Sequence, residues 1–500
     1  MSVYYAKTTL YPVSTGNAVV VLLNESDAWE NGIRDTDKVS INIDGRKEIV
    51  ANVNLTKKKI KVGHIGILPN MWKKYHFEEG EIARISFTDV NPDSMIALKK
   101  KILGETLSYK EIYSIIKDIA DGRFSDTLST YYVASSFMHH TSDLELYYTT
   151  KAMAETGEML NFKGLVADKH CIGGIPGNET TMIMVPLIAS LGIKIPKTFS
   201  KAITSPAATG EDVNVIMNIE FNADQIKKLV KKNNCCLVWG GGLSLAPADD
   251  KIIRVSYPIS MEPYSKIVIS IMAKKVAMGV NHLLIDIPIG KTAKVPDQKT
   301  ALELKRKFEY VASKFGIKIH VEITEANQPI GNGVGPALEA RDVLRVLQQH
   351  PRRPKDLEEK VILLSSKLID LCGLAKGNEA KKLARQQLKN GEAWKKMQDI
   401  IKSQGGYSKI SSEDLVLGAV KEYVNAPKSG IISEIDMKLL NQVARAVGCP
   451  VSESTGVYLN RKVGDEVAKG DRLYTLYAKD KSRIKVALDL LKDRKLYYIK

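Results

Sequence analysis

The run GLVADKHCIGGIPGNETTMIMVPLIASLGIKIP holds the residues best suited to chemistry. A strand is expected to end at Lys169 and a helix to begin near Asn178, a good N-cap residue. Between them, Gly173, Gly174 and Gly177 let the backbone approach a ligand closely, and the free N–H groups of the helix start favour an anion. Glycine also serves plain strand-to-helix connections, so composition alone leaves anion binding open. A second unit follows at once, KTFSKAITSPAATGEDVNVIMN, with hydroxyls at Ser200, Thr204, Ser205 and Thr209 and a cation at Lys201. Two such loops at adjacent strand ends would converge on one anionic ligand, although hydroxyls before a helix also act as caps.

These loops need a scaffold, and the patterning supplies one. From Thr8 to Asp89 short apolar runs (NAVVVLL, KVSINID, EIVANVNL, KIKVGHIGIL, ARISFTDV) alternate with turn residues, which predicts a small β-barrel-like domain over 1–89. Helical spacing in ALKKKILG, YKEIYSIIKDIADG and LELYYTTKAMAETGEML predicts a helical domain over 90–162, with a second part at about 246–280. Over 163–345, strands such as KGLVAD, LLIDIPIG and KIHVEIT alternate with helical stretches, the pattern of a mainly parallel α/β sheet whose ligands bind at strand carboxyl ends. Residues 346–500 read as charged helices followed by a small αβ module with Gly-Asp turns. The expected fold class is therefore α/β with α+β parts.

Composition narrows the function. The formal charge is +16, but lysine is scattered along the chain without an RNA-binding signature or finger spacing, which favours a solvated basic surface over a nucleic-acid partner. No apolar run is long enough to span a membrane and no secretory pattern opens the chain, so a cytoplasmic protein without membrane partners is expected. Five cysteines, Cys171, Cys235, Cys236, Cys372 and Cys449, fit neither a disulfide framework nor paired CxxC zinc ligands. Cys171 sits in the glycine loop, yet no histidine-plus-acid set can be assigned to make it a nucleophile. His139-His140, in a helical stretch without other nearby ligands, reads as packed or exposed rather than metal-binding. GNGVGP at Gly331 to Pro336 follows a turn rather than a strand and is no dinucleotide fingerprint.

Several separated motifs resemble thymidine and pyrimidine-nucleoside phosphorylases, in the order that family has them. KHCIGGIPGNETT resembles the family's phosphate loop, SLAPADDKIIR its Ser-Leu-Ala-Pro-Ala-Asp segment ending in a base-binding arginine, and SIMAKK matches too. SKAITSPA, where pyrimidine phosphorylases carry a Ser-Gly-Arg-Gly run, and the extra amino-terminal β domain resemble the archaeal AMP phosphorylase branch. The resemblance implies nucleotide contacts at Gly174, Ser200, Lys201, Ala202, Ile203, Thr204, Ser205, Thr209, Ser270 and Lys294. It places Glu262 on the family's proton donor, where aspartate is usual. Cys171 replaces a serine hydroxyl, which shifts weight onto Lys169, Thr180 and backbone N–H groups, and Arg254 is spaced differently, so its base-binding role is not carried over.

The function so implied is phosphorolysis of AMP, with other nucleoside 5′-monophosphates as the wider substrate class, to free base and ribose 1,5-bisphosphate. Phosphate is the co-substrate, and no metal or organic cofactor is expected. Phosphate is already anionic and needs placement rather than a base, while a purine leaves more readily once protonated, the task of Glu262. AMP and phosphate repel one another, which Lys169, Lys201 and Lys294 would offset, and Ser270 and Lys274, four apart on one helical face, would address the nucleotide. A homo-oligomer built from dimers is expected, with the β domain serving assembly. The alternatives are a pyrimidine or thymidine nucleoside phosphorylase, more distantly a phosphoribosyltransferase, and, outside enzymes, a nucleotide-binding assembly protein.

Overall fold

A computed structural model describes the chain except residues 1–2, 17, 44–47, 89–90, 140, 202–204 and 258–262. It divides into two compact units, Met1–Gly157 with Ala246–Pro263, and Glu158–Leu245 with Tyr264–Lys500.

The first unit opens with a closed six-stranded barrel of β1 (Val3–Leu10), β2 (Val20–Asn24), β3 (Lys38–Asn42), β4 (Ile49–Thr56), β5 (His64–Ile67) and β6 (Ile82–Phe87). Strand order is β1-β5-β2-β4-β3-β6, and antiparallel pairing of β1 with β6 closes it. Alternate residues such as Val21, Leu23, Val39, Ile41, Ile65 and Ile85 fill the interior. Two short helices, α1 (Glu25–Glu30) and α2 (Pro69–Tyr75), accompany it. Helices α3 (Pro92–Ile102), α4 (Tyr109–Asp121), α5 (Asp126–Met138), α6 (Asp143–Glu155) and, later in the chain, α10 (Pro247–Ser256) form the bundle. Capping boxes at Ser108 with Glu111 and Ser142 with Glu145 start α4 and α6.

The carboxyl end of α4 is held by two lysines. Lys38 Nζ of β3 donates to the carbonyls of Gly122 and Phe124, the latter at 2.6 Å, and Lys251 Nζ of α10 donates to Ile119 at 2.9 Å and Ala120 at 3.2 Å. Both lysines are pushed down to about 8, chiefly by burial. Cations at the negative end of a helix satisfy carbonyls that have no intrahelical partner.

In the second unit, β7 (Ala167–Cys171), β10 (His282–Ile289) and β11 (Lys318–Glu325) form a parallel sheet in the order β11-β10-β7. Strands β8 (Ile195–Phe199) and β9 (Cys235–Trp239) pair in parallel, and a parallel bridge between Val166 and Lys194 joins the two sets. Helices α7 (Thr180–Ser190), α8 (Thr209–Asn214), α9 (Ala223–Asn233), α11 (Tyr264–Ala277), α12 (Gln298–Lys314) and α13 (Pro336–Leu347) connect and cover the strands. One core joins α7, nearly all of which is buried, to α13 and to α14 (Lys355–Leu371), α15 (Gly377–Lys389) and α16 (Glu392–Ser403). The charged helices after residue 346 thus pack directly on the α/β layer. Helix α11, placed with the helical domain by sequence, falls in this second unit.

The tail has its own core around Leu439, Leu440, Val443, Val457 and Leu476. A four-stranded sheet there takes in β12 (Gly333–Val334), β13 (Val420–Asn425), β15 (Gly456–Leu459) and β17 (Arg472–Ala478). Strands β14 (Gly430–Ile435), β16 (Glu466–Val467) and β18 (Tyr497–Ile499) form a second sheet, with α17 (Met437–Val447) and α18 (Lys481–Asp489) alongside. Among the described residues no helix is long and apolar enough to cross a membrane.

Candidate active site

The glycine loop leaves β7 after Cys171, two residues beyond the expected strand end. Lys169 is buried, and its Nζ donates to Thr180 Oγ1 at 2.7 Å, so the lysine spans from the strand to the first residue of α7. Gly173, Gly174 and Gly177 have φ of 90°, 96° and 72°, in the left-handed region that glycine alone adopts without strain. A Cβ on Gly174 would lie 2.9 Å from the Lys294 backbone nitrogen, so two expected contact residues meet here. A Cβ on Gly177 would lie 2.2 Å from the Ile330 carbonyl oxygen. Asn178 does not cap α7, contrary to expectation. Its Nδ2 lies 3.4 Å from Cys171 Sγ, and Glu179 occupies the cap position without a side-chain cap bond, which leaves the N–H groups of the first turn without that partner. Burial first, then Asp286, pushes the Cys171 thiol up to about 11, so it is protonated and unsuited to nucleophilic attack.

The second loop is only partly described, since Ala202, Ile203 and Thr204 lie outside the described residues, as does Glu262. Ser200 and Lys201 are exposed and Ser205 is half-buried. Lys201 Nζ lies 3.2 Å from Glu220 and 4.3 Å from the centre of the Trp239 ring. Thr209 opens α8 and donates to Glu179 Oε2 at 3.0 Å, tying this loop to the first. Ser270 is half-buried on α11 and Lys294 is exposed on the loop after β10. Arg254 lies in the first unit, where it pairs with Asp126 at 2.7 Å. His139 falls just past α5 in an extended conformation, its Nε2 3.0 Å from the Ile102 carbonyl, rather than within a helix; His140 lies outside the described residues.

Beneath the glycine loop lies a buried set of charges that sequence reasoning missed. Asp168 Oδ1 accepts from Lys197 Nζ at 3.2 Å, and its Oδ2 lies 2.6 Å from Lys275 Nζ. Lys197 also donates to the Lys169 carbonyl. Lys197 and Lys275 thus face one aspartate, Lys169 follows it on the strand with its ammonium on Thr180, and all four residues are buried. Burial alone would raise the Asp168 carboxyl, but Lys197 and Lys275 hold it below its usual range. Burial drives Lys197 down to about 7, against the pull of Asp168. His170 is pushed well down by burial and by Lys275, Lys197 and Lys169, so it is neutral. Such a surplus of positive charge in a dry setting is costly unless an anion joins it.

Residues 163–394 match the glycosyl transferase family a/b domain, 96–157 its helical bundle domain, and 431–497 the pyrimidine nucleoside phosphorylase C-terminal domain. An AMP phosphorylase of Methanocaldococcus jannaschii is 39% identical, over 96% of this chain and 95% of its own. One from Thermofilum pendens is 36% identical over 98% and 94%. The chain belongs to the thymidine and pyrimidine-nucleoside phosphorylase family. A putative thymidine phosphorylase of Legionella pneumophila is 37% identical over 90% of this chain and 86% of its own. In fold, anthranilate phosphoribosyltransferase of Thermus thermophilus superposes with a TM-score of 0.53 at 16% identity, covering 62% of this chain and 99% of its own. This phosphorylase-family chain is therefore an enzyme of the pentosyltransferase type, with the α/β and helical layers of that fold.

The family's loop carries one further arrangement here. Glu179, Asp212 of α8 and Glu339 of α13 are all buried, with ligand-capable oxygens within 4.8 Å of one another, the spacing that could hold a metal ion. Among the described residues, neither Asp212 oxygen has a hydrogen-bond donor from outside this group of acids. Burial first, then mutual repulsion, raises Asp212 and Glu339 well above the carboxylate range, and burial lifts Glu179 to about 7. Three carboxylates so close in a dry site cannot all be ionised, so protons are shared among them near neutrality. One signal for Asp168, Lys197 and Lys275 was present in the sequence: charged residues inside otherwise apolar elements, such as KGLVADK, IPKTF and SIMAKK.

Proposed function

We propose that this chain cleaves AMP with inorganic phosphate, giving adenine and ribose 1,5-bisphosphate. The observation that carries this reading is a buried group of lysines under a glycine loop, Lys197 and Lys275 on the carboxylate of Asp168 and Lys169 reaching Thr180 at the start of α7. An oxyanion placed against that floor supplies the missing negative charge, and first-turn N–H groups of α7 add their dipoles. The full-length similarity to AMP phosphorylases supports the nucleotide substrate.

In this reading an oxygen of phosphate forms a bond to C1′ as the C1′–N9 bond breaks, and the bonding pair leaves with the purine. A proton from Glu262 neutralises the departing base. The sugar passes through oxocarbenium-like charge, as in other glycosidic cleavages. Phosphate needs no base, and its placement next to AMP, each carrying about −1.5 to −2 charge, needs the lysines. Lys201, Lys294, Ser270 and Thr209 are the candidates for the nucleotide. The reaction balances with phosphate as sole co-substrate. We also infer a cytoplasmic homo-oligomer built from dimers.

The test is release of base by the purified protein with phosphate. AMP is expected to yield adenine, while adenosine yields little or none because it lacks the anchoring charge. The similarity to a putative thymidine phosphorylase makes thymidine the competing substrate. Turnover of thymidine with none of AMP overturns the proposal, and AMP binding without turnover points to an assembly protein.

A further inference from the structure

We propose that Asp168 is a positioning residue for phosphorolysis: one carboxylate holds Lys197 behind the phosphate loop and Lys275 of α11, keeping the loop's cationic floor and that helix in one geometry. This rests on the phosphorylase reading above.

Asp168 is fully buried and sits one residue before Lys169 on β7. Each of its oxygens serves a different element. Oδ1 takes Lys197 of β8 at 3.2 Å and the Lys169 backbone N–H at 2.6 Å, and Oδ2 lies 2.6 Å from Lys275 of α11. From Lys197 the contacts continue to the Lys169 carbonyl, and from Lys169 Nζ to Thr180 at the start of α7. Lys275 lies five residues beyond Ser270 on the same helix. A shift at Asp168 therefore reaches both the phosphate loop and the helix that carries Ser270.

Folding alone does not call for this arrangement. A buried ion pair adds little over well-packed apolar residues, and here the cations outnumber the carboxylate. The groups around Lys197 and Asp168 are Lys169 and His170 on β7, Cys236 on β9, Lys275 on α11, and Glu179 before α7. Asp286 of β10 has its own cation in Lys360 of α14, at 3.2 Å, and accepts from Thr324 Oγ1 at 2.7 Å. Among the described residues, Asp168 is thus the carboxylate in direct contact with Lys197 and favours its charged form. Burial already lowers that lysine to about 7, and without Asp168 it falls further, so it is neutral at the pH where phosphate is used.

The experiment compares Asp168→Asn, Lys275→Met and the double variant D168N/K275M, measuring KM for phosphate, KM for AMP and kcat across pH. In D168N the KM for phosphate is expected to rise roughly tenfold, and the alkaline limb of kcat/KM for phosphate to move about one pH unit lower. The double variant removes the cation left unpaired by D168N, so it should fold even if D168N does not, and should keep the rise in KM for phosphate, while loss of Lys275 offsets part of the shift in the alkaline limb. K275M alone should move the alkaline limb upward, because Lys275 lowers Lys197, and raise KM for AMP. A wild-type phosphate KM in folded D168N or in the double variant overturns the proposal, since a merely structural pair would lower Tm and nothing else. Wild-type enzyme that releases no adenine sinks the phosphorolysis reading instead. The positioning role is then read from the rise in Tm produced by inorganic phosphate: a smaller rise in the double variant supports it, and an equal rise overturns it.

Discussion

Glu262 and Asp212 represent two ways in which a single carboxyl can matter to this enzyme. If Glu262 protonates the leaving purine, Glu262→Gln keeps size and hydrogen bonding but has no proton to give. The single-turnover rate of adenine release should then fall by roughly 10²–10⁴ while AMP binding changes little. Glu262→Asp restores the residue usual in the family and should retain substantial activity; a Gln variant turning over at the wild-type rate would assign the proton elsewhere. Asp212 acts on stability. Its carboxyl, like those of Glu179 and Glu339, titrates higher in the folded protein than in the unfolded chain, chiefly through burial. The folded state therefore holds more protons, and stability is full below the unfolded carboxyl range and declines as pH rises through about 7, where Glu179 titrates. Asp212→Asn removes one of the three competing charges, so its Tm should fall less than that of wild type between pH 5 and pH 8. Parallel Tm curves for the two proteins would show that the cluster does not share protons.

At the scale of the element, the three loop glycines differ in what a methyl group would meet, although all have positive φ. Among the described residues, a Cβ at Gly173 finds nothing within 4 Å, one at Gly174 lies 2.9 Å from the Lys294 nitrogen, and one at Gly177 lies 2.2 Å from the Ile330 oxygen. Alanine at Gly173 thus costs only the backbone strain, about 1–3 kcal/mol. At Gly174 and Gly177 a backbone clash is added. The expected order of Tm loss is Gly177→Ala, then Gly174→Ala, then Gly173→Ala, and Gly174→Ala should also weaken AMP-dependent turnover by displacing Lys294. Equal losses at all three positions would mean that the loop relaxes freely and that close backbone approach is not what glycine provides here. The same loop shows why Asn178 does not cap its helix. Asn178 is a common capping residue, but its amide is drawn to Cys171, and Glu179 is drawn to Thr209, so tertiary partners outweigh the local capping preference.

For the whole molecule, the barrel, the bundle and the parallel sheet were legible because their periodicities differ and their boundaries carry turn or capping residues. The phosphate loop was legible through its glycines and through SKAITSPA. The buried Asp168–Lys197–Lys275 set and the Glu179–Asp212–Glu339 set were not, because each joins residues from three elements far apart in the chain, and no local pattern records such a meeting. The amino-terminal barrel gives the last prediction. It is closed, so it offers no open sheet edge, and its core is internal to it. Yet exposed apolar side chains remain on its outside, among them Val3, Tyr5 and Ile82. Lys38 of β3 also reaches the end of α4, whose carbonyls keep Lys251 as a second partner when the barrel is gone. Removing residues 1–86 should therefore leave a folded, active remainder with a lower Tm, since Gly122 and Phe124 lose their cation to water. The particle mass by light scattering should fall by more than the deleted mass, because the barrel's outer face is the proposed assembly surface. An unchanged number of chains per particle would remove that role from the barrel, and a remainder that cannot fold would show that the Lys38 contacts, not the bundle's own core, hold α4 in place.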